Sequence, residues 1–181
     1  MAEERERETL ALVPVDGVHP EIGVWLAALH DTRQRMREVL SGLPDELIDE
    51  IPENGGSSVG ALLYHIAMVE ADWLFDEILG TIETDFPRDL FPVEMREDGN
   101  TLSRFTGETL AQHLVRLRTI REMLVATIRE MTPEQLHELH ARTHYDVSTA
   151  WVLHHLMQHE AQHRSQIGAV RAALGSPQPG W

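Results

Sequence analysis

The chain has 181 residues, 42% of them hydrophobic, which is enough for one domain with a buried core. Its formal charge of −15, from 30 acidic against 15 basic residues, repels phosphate backbones and anionic lipid, so neither nucleic acid nor a membrane is an expected partner. The charged N-terminus lacks an apolar core region, no stretch approaches a bilayer-spanning run, and the absence of cysteine removes disulfides and thiolate ligands; a soluble, cytoplasmic chain is expected.

Beyond an N-terminal tail over 1–15, Ile22, Trp25, Leu26, Leu29, Met36 and Leu40 recur with a 3.6-residue period. They predict a first helix that Ser41-Gly42 stops, with Pro44 just beyond. Ser57 or Ser58 caps a second, carrying Leu62, Ile66, Val69 and Trp73 and ending near Gly80. Residues 81–105 are far more than antiparallel neighbours need, so helices two and three are expected to run parallel through a crossover. Its Phe86, Pro87, Phe91 and Pro92 suggest an ordered connector, rather than a lid, packed over one end of the bundle. Thr106 precedes a third helix with Leu110, Leu114, Leu117, Leu124 and Ile128 in one stripe. Thr132-Pro133-Glu134-Gln135 reads as a cap, a first-turn proline and a capping-box partner, opening a short helix towards His140. A last long helix runs from near Ser148 through Leu174, and Gly175, Pro177 and Pro179 end it in a tail over 175–181. No segment alternates as a strand would, so the expected fold is all-α: a single-domain four-helix bundle.

The last helix carries the chemistry, in His155-Leu156-Met157-Gln158-His159-Glu160-Ala161-Gln162-His163. At about 100° per residue, His159 and His163 share one face with Val152, Leu156, Ile167, Val170 and Leu174. Two imidazoles buried there lose hydration, and a divalent cation between neutral rings is a partner for both. Core-edge histidines satisfied by carboxylates or water are the alternative. His155 stands about 12 Å of helix rise from His163 and cannot share the ion; it reads as a structural residue or one that orients a neighbour. A third ligand must come from another helix. His65, beside Leu62, Ile66 and Val69, is the best candidate, with Asp72 next; His113 reads as a boundary histidine. Ser58 to Glu70 echoes Ser148 to Glu160 without gaps, matching Ser, Leu63/Leu153, His65/His155 and Glu70/Glu160, which reads as a shared helix pattern. His137, His140 and His144 read as solvated on their short helix.

His159-Glu160-Ala161-Gln162-His163 is also a literal H-E-x-x-H, the zinc-peptidase pattern in which the glutamate activates water. Such enzymes draw a third ligand from downstream, and the remaining RSQIGAVRAALGSPQPGW holds no Asp, Glu or His. A peptidase is therefore set aside.

The second-helix stretch Ser57-Ser58-Val59-Gly60-Ala61-Leu62-Leu63-Tyr64-His65-Ile66 and the final run His155 to His163 followed by Arg164-Ser165-Gln166-Ile167 resemble the DinB-like superfamily of metal-binding four-helix bundles. Members typically read H-x3-H-x3-H-R-G-Q; here Ser165 stands where glycine is usual. The resemblance implies His65, His159 and His163 as the metal triad, an up-down-down-up bundle and frequent homodimers. It also implies zinc or nickel and, where activity is known, a low-molecular-weight thiol cosubstrate for S-transfer, with a mycothiol-dependent isomerase in the same group. Three neutral histidines with an open position make a Lewis-acid site suited to thiol transfer or to hydrolysis of a small molecule. A non-catalytic metal-binding or dimerising bundle is the third reading. Glu160 and Asp72 are possible proton carriers, neither of which sequence alone assigns.

Overall fold

The computed structural model describes residues 9–97 and 101–176; residues 1–8 and 177–181 of the expected tails, with Pro177 and Pro179, lie outside them. The four long helices are α1 (Pro20–Leu40), α2 (Val59–Asp72), α4 (Leu110–Arg129) and α6 (Thr149–Ala173), with short α3 (Ile82–Asp85) and α5 (Pro133–His137) between. Ser58 and Ser148 cap α2 and α6, each accepting a backbone N–H three residues on. For α4 the cap is Thr109, in a reciprocal box with Gln112, and not Thr106. Threonine at both positions left the start ambiguous, and the glutamine decides it. Gly42 takes φ 68° just past α1, a conformation that L side chains rarely adopt, so the chain turns there.

Contacts fix the helix directions. Trp73 at the end of α2 meets Trp151 at the start of α6, ring centroids 5.5 Å apart, so these two are antiparallel. Gly60 and His113, near the starts of α2 and α4, are close neighbours, so that pair is parallel. Arg171, buried near the end of α6, donates to the Val39 carbonyl and, at 3.0 Å, to that of Ser41 at the end of α1. This is the up-down-down-up order, and the side-chain cation also satisfies carbonyls that the end of α1 leaves unpaired.

The described residues of the crossover run along the side of α2 instead of over one end. A link between parallel helices must retrace the length of the first. It leaves by a π-helical turn, Trp73–Ile78, with Phe86 5.9 Å from Phe75, and returns to the start of α2, where Phe105 stacks at 4.3 Å on Tyr64. The Tyr64 hydroxyl donates to the Val93 carbonyl at 2.6 Å and accepts its N–H at 3.1 Å. Arg116 of α4 clamps the same layer, reaching the Leu90 carbonyl at 2.8 Å with its guanidinium over both rings.

One small sheet departs from the expected all-helical fold: β1 (Leu139–Ala141) pairs antiparallel with β2 (Asp146–Ser148). Three residues per strand carry too little alternation to be read from sequence. The short helix accordingly ends at His137; His140 lies on β1 and His144 in the turn, and His137 and His144 are exposed as expected. Among the described residues no helix is long and apolar enough to cross a membrane.

Gly60 sets the approach of α2 to the loop before it. A Cβ there would lie 3.0 Å from Asp49 Oδ1 and Ile48 Cγ2 and 3.2 Å from His113 Nε2. Gly60→Ala is expected to cost about 1–3 kcal/mol in a denaturant titration, because the helix start must shift to relieve the crowding.

Candidate metal centre

His65 sits at the middle of α2, a helix with thirteen of its fourteen residues buried, while His159 and His163 face it from consecutive turns of α6. Their Nε2 atoms converge: His159 lies 3.1 Å from His65 and 3.0 Å from His163. Among the described residues they form a group of ligand atoms all within 4.8 Å of one another, and it contains no carboxylate. These are the three residues that the family resemblance implies.

Proton accounting shows what the group fits. His163 Nδ1 stands 2.7 Å from Gln166 Oε1, an acceptor, so Nδ1 carries the proton and Nε2 presents a lone pair. A single proton on His159 Nε2 can serve only one of its two neighbours, which leaves nitrogen lone pairs facing one another without a donor. A cation resolves this. Metal–nitrogen bonds of about 2.0–2.1 Å suit nitrogens at this separation. His65 Nδ1 is buried with no hydrogen-bond partner, so the ring gains nothing from that side.

The rings are held uncharged. Burial, then the neighbouring His163 and Arg96, push His65 down to about 4; burial and the other histidines push His159 down to about 3. His163 is lowered by burial, against the opposing hydrogen bond that it donates to Gln166. Unfolded histidines take up protons near 6.5, whereas folded His65 does so near 4 and His159 near 3, so the unfolded state binds more protons in that window. Stability should therefore decline as pH falls from 6.5 towards 4, while the lowered histidines of the folded protein keep metal below the pH at which free imidazoles would release it. Thermal melts beside equilibrium dialysis check this; metal loss with a midpoint near 6.5 would contradict it.

Gln166 is the residue the sequence reasoning quoted without assigning. It follows His163 by one turn, so its amide reaches the Nδ1 that the metal would leave, fixing tautomer and ring orientation. Gln166→Ala should weaken zinc binding about 10–100-fold in a competition titration with a chromophoric chelator, with the fold intact.

The other candidates stand elsewhere. His155 stacks on Trp151 at 5.2 Å with planes 6° apart and meets Trp73 at 4.6 Å, an aromatic wall one turn beyond His159 rather than a ligand. Asp72 lines a separate cavity of about 490 Å3 with Met68, Phe86 and Met95, its carboxyl raised by burial and by Asp76 and Glu77. His113 is fully buried at the start of α4, not at the boundary, with burial pushing it down to about 4.

Glu160 is turned away from the histidines. It is 1% exposed and accepts from Arg33 Nε at 2.7 Å and Arg121 Nη2 at 2.8 Å; Glu70 accepts from the same two arginines at 2.7 and 2.5 Å. Each arginine also caps a carbonyl on the opposite helix, Arg33 that of Leu117 and Arg121 that of Leu29. Burial pushes Glu70 up, but Arg121 and Arg33 outweigh it and hold the carboxyl below its ordinary range. All four bundle helices meet in this quartet. The echo of Ser58–Glu70 in Ser148–Glu160 is thus more than helix pattern, since both serines cap and both glutamates join the quartet.

A family model described as the DinB superfamily matches residues 28–167. The chain belongs to that superfamily. Solved DinB-like structures share its fold at low identity. One from Bacillus cereus matches with a TM-score of 0.63 and 18% identity over 87% of this chain and 95% of that one. Another from Bacillus subtilis gives 0.59 and 17% over 87% and 96%. YfiT from Bacillus subtilis, described as a probable metal-dependent hydrolase with an unusual four-helix bundle topology, gives 0.58 and 15% over 90% and 93%. No curated protein matches the sequence. The resemblance read from the two histidine stretches therefore stands, and the DinB bundle supplies both helices that carry the triad.

Proposed function

We propose that this DinB protein holds one divalent ion, zinc or nickel, through His65, His159 and His163, and catalyses transfer of a low-molecular-weight thiol to a small electrophile. The observation that carries the reading is the convergence of three uncharged Nε2 atoms with no carboxylate in the group. An ion held by neutral ligands supplies Lewis acidity, which favours the deprotonated form of a thiol or water offered to it. The chain's residues hold and orient: α2 and α6 fix the rings, Gln166 sets the His163 tautomer, and Trp73, His155 and Trp151 wall one side. With no cysteine in the chain, the thiol is a cosubstrate.

Hydrolysis is the second reading, favoured by the description that YfiT carries. It asks for a proton acceptor beside the site. Glu160 is held in the arginine quartet and Asp72 lines another cavity, so neither supports hydrolysis, and we take thiol transfer as the first reading. The deciding experiment gives metal-loaded protein a panel of biological thiols with a chromogenic electrophile, and separately chromogenic esters and amides without thiol. Metal-dependent turnover in the first panel alone supports the proposal, and turnover in the second alone replaces it with hydrolysis. Turnover in neither overturns both and leaves a metal-binding bundle without catalysis.

A further inference from the structure

The bundle closes unevenly. α1 packs on α6, α2 on α4 and α6, but α1 and α4 touch only lightly. The edge between them, opposite the histidines, is a groove of about 330 Å3. Its volume falls in the range of small-molecule sites, roughly 300–1,000 Å3.

The charge of this groove is the reverse of the chain's. The sequence has 30 acidic residues against 15 basic ones, all arginine. Five of those arginines line the groove, against one acid, Glu122. Arg33 and Arg121 at its base are neutralised by Glu70 and Glu160 beneath them. Arg118 is held only loosely, 3.7 Å from Glu122 with both side chains more than half exposed. Arg37 and Arg129 have no hydrogen-bond or ion-pair partner among the described residues. Three rim arginines thus keep a positive field over a groove in a strongly acidic protein, and nothing in the bundle uses it.

Arginine stands at both ends of the groove, Arg129 one turn past Val125 on α4 and beside Gly17, but only one end brings two arginines together from facing helices. Arg33 reaches the Leu117 carbonyl and Arg121 that of Leu29, so α1 and α4 run antiparallel here. The later part of α1, with Arg37, therefore lies beside the earlier part of α4, with Arg118. Apolar Leu26 and Val125 come together towards the other end, where Val15 joins them. We propose that the groove binds a small amphipathic anion, its carboxylate on Arg37 and Arg118 and its apolar body along Leu26, Val125 and Val15. Paired guanidinium donors suit a carboxylate, and the apolar stretch distinguishes an acyl chain from a bare anion.

Calorimetric titration of the full chain with octanoate tests this, with acetate, inorganic phosphate and octylammonium as controls. One saturable octanoate site is expected, with acetate and phosphate at least tenfold weaker and no octylammonium binding. Arg37→Gln with Arg118→Gln, both on exposed side chains, should weaken octanoate at least tenfold, and Arg129→Gln by less than about threefold. His159→Ala should bind octanoate as the wild type does, which separates the groove from a metal-held carboxylate. Octylammonium binding as tightly as octanoate, unchanged affinity in the double variant, or loss of binding in His159→Ala would each overturn the proposal. So would sedimentation showing that a second copy of the chain covers the groove.

Discussion

His159→Ala should reduce metal content from about one ion per chain to less than a tenth while leaving a folded helical protein. His159 is the centre of the triad: its Nε2 lies within hydrogen-bonding distance of both partners, and removing it leaves His65 and His163 bridged by nothing. The effect should exceed that of Gln166→Ala, which disturbs ring orientation but keeps every ligand atom. Stability should change little without metal, because deletion relieves a cluster of lone pairs that no proton satisfies. Elemental analysis of protein purified without chelator reads the stoichiometry, and circular dichroism reads the fold. Wild-type protein that arrives metal-free and fails to bind added zinc or nickel would sink the metal site itself. A variant that keeps its metal would remove His159 from it.

The triad was legible in the sequence for a local reason and a borrowed one. His159 and His163 share a face of one helix, a relation that helical periodicity alone reveals. The partnership of His65 is long-range; pattern made it the best of three candidates, and the family resemblance selected it. The bundle was legible because its apolar stripes are long, whereas the three-residue strands fell below any period. The route of the crossover was not legible, since phenylalanines mark packing without saying against which surface. The quartet was invisible for a different reason: Arg33 and Arg121 occupy positions that periodicity assigns to the core, and charged residues there break the pattern instead of extending it. Only the matched glutamates of the internal echo hinted at it.

Glu160→Ala tests the quartet and the peptidase-like motif together, because the two assign that carboxylate opposite work. If Glu160 activated water beside the metal, removing it would abolish turnover at unchanged stability. The geometry assigns it to Arg33 and Arg121, both nearly inaccessible to solvent. Deleting the carboxylate leaves two guanidinium groups in the core with only Glu70 to balance them, and breaking one side of such a buried pair costs about 3–5 kcal/mol. For a domain of this size that is a fall in melting temperature of about 10 °C. Metal content should remain near one ion per chain, since no quartet atom reaches the histidine nitrogens. Glu160→Gln preserves shape and one acceptor oxygen, so it should lose less, yet still more than a surface substitution, because the charge imbalance persists. Replacing all four members by apolar residues should recover much of the loss, since a packed apolar core needs no ion pairing. Thermal melts of the three variants beside metal analysis separate the accounts. Wild-type stability in Glu160→Ala with abolished turnover would return the glutamate to the metal site, whereas lost stability with retained metal assigns it to holding together the helices that carry the triad.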